Sequence, residues 1–136
     1  MANLARLKDL VREFEEKYRG SELEPFIFVD EYIFGCKEPW PMVTTTHKGV
    51  YGIFSNNDLL YVGKVTGKTR VICHRMNDYF KIPEDFSYEG PKDNWSQEPT
   101  HFVAWGVPDD SFFEASSLEE FLIEKLKNEL PDNTRK

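Results

Sequence analysis

Apolar residues near the start of the chain recur at spacings of three and four, which is typical of the buried face of an amphipathic helix. We predict this helix over residues 3–19, and Gly20 is well placed to end it. The apolar run within residues 25–46 fits either a strand or a short buried helix, and Pro39 and Pro41 break regular structure behind it. The apolar face of the first helix consists of Leu4, Leu7, Val11, Phe14 and Tyr18.

From residue 49 onward the pattern indicates a small sheet. Residues 49–55 and 59–62 predict the two strands of a hairpin, with Asn56, Asn57 and Asp58 in its turn. A helix, a long loop, a third strand and a last helix are predicted at residues 68–80, 81–99, 100–107 and 118–130. This order indicates an α/β protein of the α+β type, in which a three-stranded antiparallel sheet is flanked by helices.

The chain has 136 residues, which indicates one domain with room for a core. Its 24 Asp and Glu against 17 Lys and Arg give a net charge of −7, which argues against a protein that coats nucleic acid or an anionic membrane with its whole surface. Cys36 and Cys73 form neither a disulfide framework nor a zinc motif. No apolar run has the length of a membrane span, so we expect a cytoplasmic (intracellular) protein.

The charge is unevenly distributed along the chain. Residues 59–81 hold five Lys and Arg and one Asp, a net charge of +4, whereas residues 82–136 hold thirteen acidic and five basic residues, a net charge of −8. Arg70, His74 and Asn77 fall on one polar face of the predicted middle helix. A solvated face is the ordinary explanation for such a stripe, but gathered cations are also what a phosphate requires.

Glu119 lies within the apolar stripe of the predicted last helix, whereas Glu120 and Glu124 point away from it. A carboxylate on a buried face needs a partner, and a divalent metal ion is one. A capping box is the alternative, because Ser116 stands three residues before Glu119. Ser117 fits the same box with Glu120 and would free Glu119, so the spacing leaves both interpretations open.

Taken singly, Tyr51 and Tyr61 fit ordinary half-buried strand tyrosines with hydrated hydroxyls. Taken with their neighbours, they belong to an ordered series of short motifs. The series is Gly49-Val50-Tyr51, Tyr61-Val62-Gly63-Lys64, Arg70 with His74 one turn on, Glu119 before Leu122-Ile123, and Asn133. In this order the chain resembles the GIY-YIG nuclease family over residues 47–133. Asn128 is an alternative to Asn133, because it stands near the family's usual position for the asparagine.

The resemblance implies a nuclease domain over residues 47–136, with residues 1–46 as an N-terminal extension packed on its core. It also implies a metal-dependent endonuclease that hydrolyses DNA phosphodiester bonds with Mg²⁺, for which Mn²⁺ can substitute. Glu119 is then the metal ligand, which suits magnesium because that ion keeps several waters.

Further roles follow from the same resemblance. Tyr51 is expected as the general base, with its pKa lowered by Lys64, and Arg70 as the phosphate clamp. His74 and Tyr61 position the phosphate, and Asn133 braces the glutamate or the metal shell. The alternative function is a non-catalytic nucleic-acid or protein-binding module that retains the fold, and a protein partner could supply recognition of the DNA target.

Overall fold

The computed structural model describes residues 2–20 and 22–133. Met1 and Ser21 of the predicted N-terminal extension, and residues 134–136 of the predicted domain 47–136, lie outside the described residues. A π-helical turn extends the first helix over Glu15–Arg19, and a 3-10 turn at Asp109–Ser111 precedes the last one. The helices are α1 (Leu4–Phe14), α2 (Met42–Thr46), α3 (Ile72–Tyr79) and α4 (Glu114–Leu126). The strands are β1 (Ile27–Ile33), β2 (Gly49–Ser55), β3 (Asp58–Val65) and β4 (His101–Gly106).

The sheet is antiparallel throughout, with the strand order β1-β4-β2-β3. The α+β class is therefore as predicted, but the sheet has four strands where the sequence predicted three. The additional strand is β1, which comes from the ambiguous apolar run and pairs with β4, where Phe28 lies opposite Trp105. Only pairing with a distant part of the chain resolves whether such a run forms a strand or a helix.

Two hydrophobic layers cover the two faces of the sheet. All seven positions of β2 are buried, because successive side chains enter opposite layers: Val50 joins one and Tyr51 the other. The first layer holds α1 and α4, whose Leu7 and Leu122 are buried against it, and the second holds α3 through Met76. β2 therefore has no solvated face, while β3 lies at one end of the strand order with one side free of strand neighbours.

Both helices that carry predicted site residues begin elsewhere than the sequence pattern indicates. α3 begins at Ile72 and not at residue 68, because Gly67 to Val71 form a turn and an extended segment. α4 begins at Glu114 and not at residue 118, because the preceding turn runs directly into it. Among the helices within residues 2–20 and 22–133, none combines the length and the apolar character that crossing a membrane requires.

Candidate functional site

The end strand β3 is the frame of the candidate site. The amide of Asn133 closes the free side of this strand: its Oδ1 accepts a hydrogen bond from the Val62 N–H at 2.9 Å, and its Nδ2 donates to the Val62 carbonyl at 2.9 Å. The neighbouring Asp132 is fully buried and accepts hydrogen bonds from the backbone and hydroxyl of Ser96. Asn133 thus fixes the backbone of the strand, whereas Asn128 is exposed after the end of α4.

Three tyrosines meet on the α3 side of β3. The hydroxyls of Tyr51 and Tyr79 lie 2.8 Å apart, and the Tyr79 hydroxyl donates to that of Tyr61 at 3.4 Å. Tyr51 and Tyr61 are 1% and 8% exposed, and the hydroxyl of each is hydrogen-bonded to a third phenol, whereas ordinary strand tyrosines have hydrated hydroxyls. Tyr79 was not among the site residues predicted from the sequence.

Gly63 makes room for this tyrosine chain. It pairs with Tyr51 across the hairpin, and a Cβ atom added to it would lie 2.3 Å from the Tyr51 hydroxyl oxygen. Any larger residue would therefore have to displace the phenol ring. The glycine of the Tyr-Val-Gly motif is explained by this close approach of the ring.

Arg75 is the cation that faces the tyrosines, and the sequence analysis did not name it among the site residues. Its guanidinium lies 5.9 Å from the centre of the Tyr79 ring and 3.6 Å from the Asp78 carboxylate. Arg75 and Tyr79 are four residues apart on α3, so they share one side of the helix. That spacing is the sequence signal that could have identified Arg75.

The pKa of Tyr51 lies well above its usual value, chiefly because burial disfavours the phenolate. The phenols of Tyr79 and Tyr61 raise it further, and the nearby charge of Arg75 lowers it by less. The expected effect of Lys64 is therefore not what the structure has: the pKa of Tyr51 is raised, and the cation that opposes the rise is Arg75.

Glu119 and Lys64 meet on the α4 side of β3. The Lys64 Nζ lies 3.8 Å from Oε1 of Glu119 and donates a hydrogen bond to the hydroxyl of Ser116 at 3.2 Å. The Glu119 side chain is only 20% exposed, and burial raises the pKa of its carboxyl, while Lys64 and then Arg75 oppose that rise. Since α4 begins at Glu114, Ser116 and Ser117 lie inside the helix and the capping-box interpretation of Glu119 is wrong.

The groups on the α3 side and on the α4 side of β3 are close enough to shift each other's pKa values. Glu119 raises the pKa of Tyr61, and Arg75 lowers that of Glu119. Of the residues predicted from sequence, the structure thus gathers Tyr51, Tyr61, Lys64 and Glu119 around β3.

Arg70 and His74 have other contacts than the sequence predicted. Arg70 precedes α3, and its Nη2 forms an ion pair with Asp78, whose carboxylate also contacts Arg75. His74 is exposed, and its Nδ1 accepts a hydrogen bond from the Val71 N–H at 3.2 Å, which caps the start of α3. The predicted stripe through Arg70 therefore does not exist as a helix face.

The site offers one carboxylate to a cation. Within the described ranges 2–20 and 22–133, no group of three or more His, Cys, Asp and Glu side chains could hold a metal ion. This donor set excludes a closed zinc-type cage there. It fits a hard cation such as Mg²⁺, which keeps most of its waters and takes one or two carboxylates from a protein.

Comparisons of the chain with family models, with curated proteins and with solved structures found no match. Any functional conclusion therefore has to come from the site. That site consists of a chain of three phenols, a guanidinium and a half-buried carboxylate, which three separate parts of the sequence bring to the end strand of the sheet.

Proposed function

We propose that the protein is a metal-dependent endonuclease that hydrolyses DNA phosphodiester bonds. The observation that carries this proposal is the convergence of Tyr51, Arg75 and Glu119 on β3, each from a different element. A base, a fixed cation and an anionic metal ligand are the three groups that hydrolysis of a phosphodiester needs. Arg75, Tyr61 and Tyr79 also lie within residues 59–81, a stretch whose net charge is +4 in a chain of net charge −7.

Arg75 is suited to binding the phosphate. Its Nε is buried and has no hydrogen-bond partner among the residues that the structure describes. A buried guanidinium N–H without an acceptor is costly, and a phosphate oxygen is the acceptor that guanidinium groups prefer. The Nε of Arg70 is buried without a partner in the same way, but only Arg75 lies close enough to lower the pKa of both Tyr51 and Glu119. The proposal therefore gives Arg75 the role of phosphate clamp that the sequence had given to Arg70.

Tyr51 is suited to taking a proton from the attacking water. The water oxygen forms a bond to phosphorus, its proton passes to the phenolate oxygen, and the bond to the leaving 3′ oxygen breaks. The high pKa of Tyr51 makes its phenolate scarce but strongly basic, and the hydroxyls of Tyr79 and Tyr61 extend the hydrogen-bond chain through which a proton can leave. Glu119 would hold the divalent cation, which when bound would polarise a phosphate oxygen and neutralise charge on the leaving oxygen.

The direct test compares two neighbouring carboxylates. Wild-type protein is expected to nick supercoiled plasmid or branched DNA with Mg²⁺ or Mn²⁺, and Glu119→Gln to lose about 100-fold or more of that rate. Glu120→Gln, an exposed neighbour on the same helix, serves as the matched control and keeps the rate. A wild-type protein that is inert on duplex, branched and single-stranded DNA with either metal overturns the proposal.

A non-catalytic nucleic-acid or protein-binding module is the second candidate, and one observation favours it. Lys64 already compensates Glu119 at 3.8 Å, so the carboxylate is paired without a metal ion. Thermal unfolding with and without Mg²⁺ separates the two functions, because a cation that binds the folded state stabilises it. A binding module predicts no stabilisation by Mg²⁺ that Glu119→Gln removes.

A further inference from the structure

A cleft lies beyond the Lys64–Glu119 pair, at the end of the sheet where β2 begins and β3 ends. It has a volume of about 640 Å³ and is lined by Lys48, Thr66, Lys68, Asp109 and Phe112. None of these residues belongs to the catalytic arrangement proposed above. Two ammonium groups beside an aromatic ring are the parts from which proteins build sites for single-stranded nucleic acid.

The cleft and the candidate active site lie along the same helix face and the same strand. Phe112, Ser116 and Glu119 are spaced by four and three residues, and the backbone of Phe112 is already helical, with φ −56° and ψ −23°. The three side chains therefore follow one face of α4 and the turn before it. On the other wall, Thr66 stands two residues after Lys64, so both leave the extended chain on the same side.

Phe112 is the residue that points to the class of ligand. It is 45% exposed, whereas the other aromatic residues except Tyr18 and Phe113 are buried or partly buried, and it lines the cleft together with Lys48 and Lys68. Its neighbour Phe113 is 62% exposed but lines a different groove, with Phe14 and Tyr18. An aromatic face between cations accepts a nucleobase by stacking, provided that the base is not paired within a duplex.

Lys48 also orders the opposite wall of the cleft. Its Nζ donates hydrogen bonds to the carbonyl oxygens of Lys68 at 3.4 Å and Arg70 at 3.1 Å. These bonds hold the loop that carries Lys68 against β2, so the positive charge of the cleft is fixed in place. The carboxylate of Asp109 repels phosphate, so a phosphate would bind to the two lysines. The base would then lie on the side of the cleft that holds Phe112 and Asp109.

We propose that this cleft binds an unpaired nucleotide that flanks the scissile phosphate, with its base on Phe112 and its phosphate on Lys48 and Lys68. The inference rests on the proposed nuclease function and narrows its substrate class. The preferred DNA is single-stranded, or carries a flap or an unpaired base next to the cleaved bond, and is not a continuous duplex.

Binding is measured in the Glu119→Gln background, so that cleavage does not disturb it. The probes are a fluorescein-labelled single-stranded oligonucleotide and a duplex of the same sequence, followed by fluorescence anisotropy at low salt. Adding Phe112→Ala is expected to weaken single-strand binding about tenfold and to leave duplex binding within about twofold, because stacking of one base is lost. Phe113→Ala, the same change at a neighbouring and more exposed ring outside the cleft, is expected to leave both affinities unchanged.

Further variants keep the test decisive. Phe112→Trp presents a larger stacking surface and should retain or increase single-strand affinity, and Lys68→Ala should weaken both probes and reduce the salt dependence. Equal losses on single strand and duplex with Phe112→Ala, no loss on either, or no binding of either probe overturns the inference.

Plasmid cleavage by wild type and by Phe112→Ala is scored separately. If the protein cleaves DNA but Phe112→Ala does not change its preference for single-stranded DNA, the proposed subsite is wrong and the nuclease function is still supported. Phe112-dependent binding without cleavage removes the nuclease function and retains the nucleotide subsite.

Discussion

The two sides of β3 hold groups of opposite character. On the α3 side, the buried Tyr51 and Tyr61 and the partly buried Tyr79 form a network of phenols in which each hydroxyl bonds to another. On the α4 side, Glu119 and Lys64 form a charged pair, and the lysine side chain is 38% exposed. Burial raises a pKa on each side, but only for Glu119 are two nearby cations, Lys64 and Arg75, set against it.

The difference shows how one strand can carry two chemical tasks. A buried phenol becomes a stronger base when it ionises, whereas a carboxylate keeps the charge that a metal needs only if cations and partial exposure offset its desolvation. Arg75 acts on both sides, since it lowers the pKa of Tyr51 and of Glu119 alike. Arg75 is therefore the residue that links the two sides of β3.

The largest expected effect separates Arg75 from Arg70. Arg75→Ala should reduce the single-turnover rate of plasmid nicking by about 100-fold, because it removes the fixed cation beside the tyrosines and Glu119. Arg70→Ala should cost less than about tenfold, since that side chain reaches the site only through Asp78. If Arg70→Ala reduced the rate more than Arg75→Ala, Arg70 would be the residue that binds the phosphate, and the role given to Arg75 from its position on α3 would be wrong.

The two arginines also show where sequence reasoning stops. The hairpin could be predicted because two short apolar runs on either side of an Asn-Asn-Asp turn are a local signal, and the structure has β2 and β3 there. No local signal of this kind could show which of the two arginines faces the tyrosines. A stripe through Arg70 and His74 assumes that the helix includes both, but α3 begins only at Ile72.

Glu119 was easier to predict, although its helix begins earlier than expected. The apolar period of α4 is set by Leu118, Leu122 and Leu126, which are all buried, and it places Glu119 within the same apolar stripe wherever the helix starts. What the period could not decide is the partner of the carboxylate. The contact with Lys64 depends on how α4 packs across the sheet, which no local pattern encodes.

A second prediction tests how tightly the tyrosine side is packed. Gly63→Ala places a methyl group against the Tyr51 ring and should lower the free energy of unfolding by about 1–3 kcal/mol. Gly67→Ala is the matched control, because the atoms near its added Cβ belong to the flexible side chain of Arg70, at 3.3 Å or more. Urea unfolding of both variants measures the difference. Equal stability would mean that Tyr51 moves freely and that the tyrosine network is not rigid.

The smallest expected effect concerns the charged side and its dependence on pH. The carboxyl pKa of Glu119 is raised above 4.5 in the folded protein, so the folded state binds this proton more tightly than the unfolded state. The stabilisation that follows is complete at pH values below the unfolded pKa and is lost as the pH rises through the folded pKa. In the presence of a chelator, wild type should therefore lose stability relative to Glu119→Gln as the pH rises from about 4.5 through the higher pKa of the folded state.

Urea unfolding of both proteins across that range measures the difference. Addition of Mg²⁺ near pH 7 should restore wild type and leave Glu119→Gln unchanged, since only an ionised carboxylate binds the cation. A wild type that instead gains stability relative to the variant as the pH rises would mean that Lys64 and Arg75 outweigh the desolvation of Glu119. The carboxylate would then be a satisfied ion pair, and the case for a metal site on this side of β3 would be lost.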